Sequence, residues 1–293
     1  MPDMQHTSYR RLLYALSLAE TVDVEKRSGV QVTREILCTD IKSEAPDSPA
    51  VREAAGRPGL SSAIAIAEGL CLVAGCDSTA LLTSVQPAFK RYTDGGGLAG
   101  AYGPRIREQV PGALQRLRGH GSRQACMTVW RATDALSDVR DLPCTLSIQW
   151  LVRDKSLVQV VSMRSSDAWL GLPYDIIQFS LLQSAAARAL GLPAGVLCVR
   201  ACSSHLYAGD FNAASEYAES LGPPRELPLW ARMWQPAAPN LPWERYRSRA
   251  QEAVECLLSG ANAPWHGPAW DCAIGVIRRA QLRNKDSQKD LSQ

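Results

Sequence analysis

Hydrophobic and polar positions along the chain alternate between two periods. Residues 8–20, with Leu12, Leu13 and Leu16 on one face, carry helical spacing. Residues 30–42 alternate as a strand does, and the polar, proline-bearing stretch 43–58 (Pro46, Pro49, Pro58) reads as a loop. Ser61 or Ser62 can cap a helix reaching about Ala74, and Asp77-Ser78 can open another ending near Phe89. The glycines of 93–100 predict a flexible loop, and 106–118 an amphipathic helix. Strand character marks 124–131, 145–153 and 157–164, the last two forming a hairpin across Arg153–Ser156. Pro173 suits the first turn of a long helix that Gly191 stops. A strand at 195–203 and helices at 210–220, 243–258 and 268–282 follow, before a polar tail at about 283–293. Strands and helices thus mix along the whole chain, with no repeat or independent linker. The pattern predicts one α/β domain over 1–293.

The chain has 293 residues, 46% of them hydrophobic and 21% charged, within the range of a soluble globular protein. A net charge of +3 gives no basis for nucleic-acid binding, but it is compatible with a basic pocket for a small phosphorylated ligand. Nine cysteines lack any Cys-x-x-Cys pair, which argues against zinc and predicts no metal. They read as free thiols in a reducing compartment, hence the cytoplasm. The start, Met-Pro-Asp-Met-Gln-His, does not read as a signal peptide. The longest apolar run, Ala63 to Gly75, contains Glu68 and is too short to span a bilayer, so no membrane partner is expected.

Cys144, in Asp-Leu-Pro-Cys-Thr-Leu-Ser-Ile-Gln-Trp, is a candidate nucleophile. Arg27, Arg123 and Arg164 each stand beside a serine or glycine at a predicted strand or loop edge. Guanidinium groups fit phosphate oxygens, and a cationic cluster near Cys144 would lower the thiol pKa. Taken singly, each arginine reads equally as a solvated surface charge. Glu68 lies in the most apolar helix, where an ionised carboxylate is costly without partners, which suits a proton donor and acceptor facing a cleft. His205 and Tyr207, two apart on extended chain, face one side and can reach one ligand hydroxyl. The glycines at 95–97 lack the Lys-Ser/Thr of a P-loop and read as a hinge or spacer.

These residues, in this order, resemble thymidylate synthase and its relatives, the pyrimidine-nucleotide hydroxymethylases. The similarity runs from about Arg27 to Tyr207. It includes Arg27-Ser28-Gly29, the Glu68 helix with Gly75 and Asp77, Tyr102-Gly103, Ser122-Arg123, Pro143-Cys144, Gln149, Arg164-Ser165, Asp167, Gly171-Leu172-Pro173 and His205-Leu206-Tyr207. The resemblance implies a mixed twisted sheet flanked by helices, with a sheet face as the homodimer interface. It implies that Cys144, Glu68 and Tyr102 are catalytic. Arg27, Arg123, Arg164, Ser165, Asp175, His205 and Tyr207 would bind a pyrimidine nucleoside monophosphate, with Arg123 reaching the partner's site. Asp167 and Gly171 would contact the folate of the co-substrate, 5,10-methylenetetrahydrofolate.

The implied chemistry is a covalent bond from the Cys144 sulfur to C6 of the pyrimidine, which makes C5 nucleophilic. Asp175 stands where uridylate-specific members have asparagine. The asparagine amide matches uracil O4 and N3–H, whereas a carboxylate accepts from cytosine N4–H and can share a proton with N3. The substrate predicted is therefore dCMP or CMP. Other departures are Thr145 after the nucleophile, Met163 before the clamp arginine, Gln124 after Arg123, glycines in place of a tryptophan-bearing segment before Tyr102, and the polar end Lys-Asp-Leu-Ser-Gln. A looser site admits water to the one-carbon unit, so 5-hydroxymethylation is expected. Methylation of dCMP or dUMP, and a non-catalytic nucleotide- or RNA-binding relative, are the alternatives.

Overall fold

A computed structural model describes residues 5–6, 8–26, 29–44, 48–77, 79–93, 95–118, 122–220, 226, 228–234, 241–261 and 267–290. The strands are β1 (Gln5–His6), β2 (Thr21–Lys26), β3 (Gly29–Glu44), β4 (Ala125–Thr128), β5 (Thr145–Arg153), β6 (Ser156–Met163), β7 (Ser166–Asp167) and β8 (Ala194–Tyr207). The helices are α1 (Tyr9–Ser17), α2 (Pro49–Gly56), α3 (Ser62–Ala74), α4 (Thr79–Val85), α5 (Tyr102–Ile106), α6 (Val110–Leu117), α7 (Leu172–Ala189), α8 (Phe211–Glu219), α9 (Trp243–Ser259) and α10 (Pro268–Asp290).

The strands form one mixed sheet in the order β1-β3-β8-β6-β5-β4, with β2 paired to β3 and β7 to β8. β3 runs antiparallel to β8, β6 runs parallel to β8, and β5 and β6 form the expected hairpin. Asp154 and Lys155, at φ 47° and 57°, make its two-residue turn, a left-handed pair that matches the twist of the strands. The mixed α/β architecture with flanking helices is the one expected from the sequence.

Burial explains which segments became which element. On β6 Leu157, Gln159, Val161 and Met163 are buried, alternating with half-buried residues. Helix α7 is buried almost all round, so its polar side chains need partners. Gln183 donates to the carbonyls of Leu157, Gly195 and Val196, tying α7 to β6 and β8. From the sheet side, Gln159 donates to Phe179 O at 2.9 Å and accepts from the Trp150 indole at 2.7 Å. Helix α3 is capped by Ser61, whose hydroxyl accepts from Ile64 N, and ends at Gly75 in the left-handed conformation (φ 70°). No described helix is long and apolar enough to cross a membrane.

Several boundaries differ from the sequence pattern. The stretch 43–58 contains α2: Ser48 caps it, Pro49 occupies its first turn, and Ala50, Val51 and Ala54 are buried. Proline at that position supports a helix rather than breaking it. The expected helix 106–118 is the shorter α6, Val110–Leu117, with Ile106 ending the separate α5. Strand β8 continues to Tyr207, and α10 to Asp290, beyond the 282 at which the apolar pattern ends.

Candidate active site

Several element ends converge. Cys144 stands directly before β5, and a register shift between Thr145 and Ser147 marks a bulge that re-aims the chain there. Arg164 follows β6, where the ladder along β8 breaks before resuming at β7. His205 and Tyr207 close β8, and Asp175 sits in the first turn of α7.

Arg164 holds the Cys144 segment by its backbone. Its N–H donates to Cys144 O at 2.8 Å, its Nε to Pro143 O at 3.0 Å and an Nη to Leu142 O at 3.3 Å. The guanidinium also lies 5.7 Å from the Trp130 ring centroid. Arg164 is otherwise exposed, so its remaining N–H groups face solvent or ligand. Among the described residues, Arg164 is the arginine that acts on the thiol. Arg27 lies outside the described residues. Arg123 is exposed beside β4, its carbonyl accepting from Gln149 Nε2 at 2.8 Å. The β4–β5 register and the Gln149 contact place it beside the second half of β5, away from Cys144 by on the order of 15–20 Å at the usual strand rise.

The acids dominate the electrostatics. Burial pushes the Cys144 thiol up to about 11; Arg164 opposes this, and Asp175, Asp141 and Asp167 add to it. The expected lowering is therefore overturned in the free protein, because desolvation outweighs one guanidinium. Glu68 is raised to about 8, first by burial and then by Asp175 and Asp141. Its Oε2 is buried and has no hydrogen-bond partner among the described residues. At neutral pH it therefore holds a proton it can give. Asp175, 8% exposed, is raised to about 7 by burial, while a hydrogen bond from Gln178 Nε2 (2.9 Å to Oδ1) acts the other way. Tyr102 stacks on Phe179 with ring centroids 5.9 Å apart, its hydroxyl held well above its usual range by burial, then by Asp175 and Cys144.

The remaining predicted residues sit around this core. His205 Nε2 and the Tyr207 hydroxyl are 3.1 Å apart, as two-residue spacing on a strand requires. Ser165 Oγ is 3.5 Å from His205 Nδ1. Asp167 Oδ1 accepts from Trp169 N at 3.0 Å and Leu170 N at 2.8 Å, which fixes the carboxylate at the turn into α7. Gly171 follows; a Cβ there would meet the Asp167 backbone O at 3.5 Å and Asp175 Oδ2 at 3.9 Å, both ordinary van der Waals contacts.

Gln178 and Asp141 were not singled out in the sequence. Gln178 was legible as a polar residue three positions from Asp175, in the largely apolar first half of the helix, the spacing at which helical side chains meet. Asp141, whose Oδ2 accepts from Gly100 N at 3.0 Å, carries no such signal, because its partners come from a distant loop.

Residues 90–231 match the family model for thymidylate synthase. Over 100 residues the chain is 30% identical to a thymidylate synthase of Bacillus licheniformis, and equally to that of its strain ATCC 14580. The similarity covers 34% of this chain and 36% of each relative, so the chain spans about a third of the length of the curated proteins it matches.

Proposed function

We propose, for a chain that belongs to the thymidylate synthase family through residues 90–231, that it transfers a one-carbon unit to C5 of a cytidine monophosphate nucleotide, CMP or dCMP, and leaves a hydroxymethyl group there. One observation carries the choice of base. Asp175 is a buried acid in electrostatic contact with Tyr102, Glu68 and Cys144, held close to half-ionised at neutral pH. One oxygen can accept from cytosine N4–H while the other shares a proton with N3. Uracil O4 facing an ionised carboxylate would leave two acceptors opposed, at about 1–3 kcal/mol.

In this reading Cys144 attacks C6. The thiol starts protonated, so its proton must leave as the bond forms, and Arg164 favours the anion. Glu68, protonated at neutral pH, supplies a proton to the base edge and takes one from C5 later. Tyr102 closes the site behind the ring. His205 and Tyr207 bind the sugar, and Ser165 holds the His205 ring. Arg164, with Arg27 and the partner's copy of Arg123, binds the phosphate. 5,10-Methylenetetrahydrofolate would supply the carbon at formaldehyde oxidation level and depart as tetrahydrofolate, and water would add to the C5 methylene to supply the hydroxyl. The residues would suit the folate: Asp167 would offer an N–H edge a carboxylate fixed by two backbone N–H groups, and Gly171 puts no side chain beside it.

A homodimer belongs to this proposal. Helices α1, α2, α6 and α7 pack against the sheet, while Val30, Val32 and Leu37 on β3 and Cys126 on β4 are exposed. All nine cysteines are free, which fits the cytoplasm.

The test is to incubate the protein with CMP or dCMP and 5,10-methylenetetrahydrofolate and weigh the nucleotide. A gain of CH2O without dihydrofolate, lost in Cys144→Ala, is expected. A gain of CH2 with dihydrofolate, the outcome suggested by the name of the Bacillus licheniformis relatives, would replace hydroxymethylation by methylation. Unchanged nucleotide would support a non-catalytic binding protein.

A further inference from the structure

Asp175 does not read a base alone. Gln178, one turn further along α7, is 7% exposed and donates from Nε2 to Asp175 Oδ1 at 2.9 Å. A carboxylic acid with its proton free to sit on either oxygen is ambivalent. With the proton on the oxygen facing ring position 3 and the other oxygen bare, it complements cytosine. With the two exchanged, it complements uracil. Burial keeps this acid close to half-protonated at neutral pH, so ambivalence is a real hazard at this site.

We infer that Gln178 is the specificity-determining partner of Asp175: its amide keeps Oδ1 bare, so the shared proton can lie only between Oδ2 and the pyrimidine N3. Oδ1 then accepts twice, from Gln178 and from cytosine N4–H, as its two lone pairs allow. Oδ2, the oxygen that Gln178 does not bond, lies 3.9 Å from where a Cβ on Gly171 would stand. Uracil would need a proton on Oδ1, where the Gln178 donor already points. Gln178 is a positioning residue, acting through the carboxyl group rather than on the ring. This assignment rests on the cytidylate reading above and adds to it the residue that fixes the tautomer.

Among the described residues, the titratable groups facing Asp175 are Glu68 on α3, Tyr102 on α5 and Cys144 before β5, none of them a cation. The Gln178 hydrogen bond is therefore the contact that favours the ionised carboxylate. Its removal leaves the acid protonated to higher pH, with both tautomers open.

The experiment is calorimetric titration of the full chain with CMP, dCMP, UMP and dUMP, below and above neutral pH. Wild type is expected to favour the cytidylates by roughly ten- to a hundredfold. Gln178→Met keeps the volume and the helix propensity but removes the donor. It should cut that ratio to about threefold or less, and shift upward the pH at which the ratio changes. Gln178→Asn, whose amide falls short of Asp175, should do the same and serves if the Met variant does not fold. A variant that binds all nucleotides more weakly at an unchanged ratio would show a merely structural role and overturn the inference. Asp175→Asn separates the two levels. If it turns preference to uridylate while Gln178→Met leaves the ratio intact, the Gln178 assignment falls alone. If wild type shows no cytidylate preference and Asp175→Asn moves nothing, the base reading falls with it.

Discussion

Glu68 shows what a buried acid does at the scale of one residue. Its carboxyl group titrates near 4.5 when the chain is unfolded and near 8 in the fold, because burial and the neighbouring Asp175 and Asp141 penalise the charged form. A carboxyl group whose pKa rises on folding binds its proton more tightly in the native state, so wild-type stability is lost as pH climbs between those two values. Glu68→Gln removes that loss. It should match wild type in denaturant unfolding below pH 4.5 and exceed it by about 2–4 kcal/mol above pH 8. An equal difference at both ends would mean that Glu68 is solvated. The sequence displayed this residue, since a glutamate among Ala, Leu and Cys is visible without coordinates. It also displayed Cys144, but gave the wrong direction for its thiol. Residue types reveal which charges exist, whereas the balance of desolvation against one guanidinium depends on depth in the fold.

At the scale of elements, the site depends on how closely α3 and α5 meet. Gly103, next to Tyr102, lies against the end of α3 so tightly that a Cβ would come within 2.7 Å of Cys71 O and Cys76 O. Both are backbone atoms and cannot rotate away. Gly103→Ala should therefore cost about 1–3 kcal/mol in unfolding measurements and lower turnover by displacing Tyr102. A variant as stable and active as wild type would show that the approach is loose. Most elements were legible from period and punctuation: Ser61 and Gly75 bound α3, and Gly191 (φ 69°) follows α7. Helix α2 was hidden because proline density was read as loop, although Pro49 falls where a helix tolerates it. The full length of β8 was hidden because its end is polar: Ser203, Ser204 and His205 pair with β3 through backbone bonds that side-chain type does not announce.

At the scale of the whole molecule, Arg123 lies beside the second half of β5, whereas Cys144 stands directly before its start. In the proposed homodimer, the phosphate held by Arg123 would be that of the partner's site. Arg123→Ala and Cys144→Ala should each be inactive as homodimers. Mixed after mild unfolding and refolding, they should recover about a quarter of wild-type activity per protomer, because half the dimers are hybrids and each hybrid holds one intact site. No recovery would confine the site to one chain. Such a site is only half-legible in a sequence, which names Arg123 without saying whose pocket it enters.

The central claim is that a sulfur nucleophile and a buried acid select and modify cytosine. Its most direct measurement offers equal amounts of cytidylate and uridylate, with 5,10-methylenetetrahydrofolate, and follows both by mass. The expected result is a cytidylate heavier by CH2O beside uridylate left unchanged. Consumption of uridylate with cytidylate untouched would contradict the assignment of Asp175 and the function built on it.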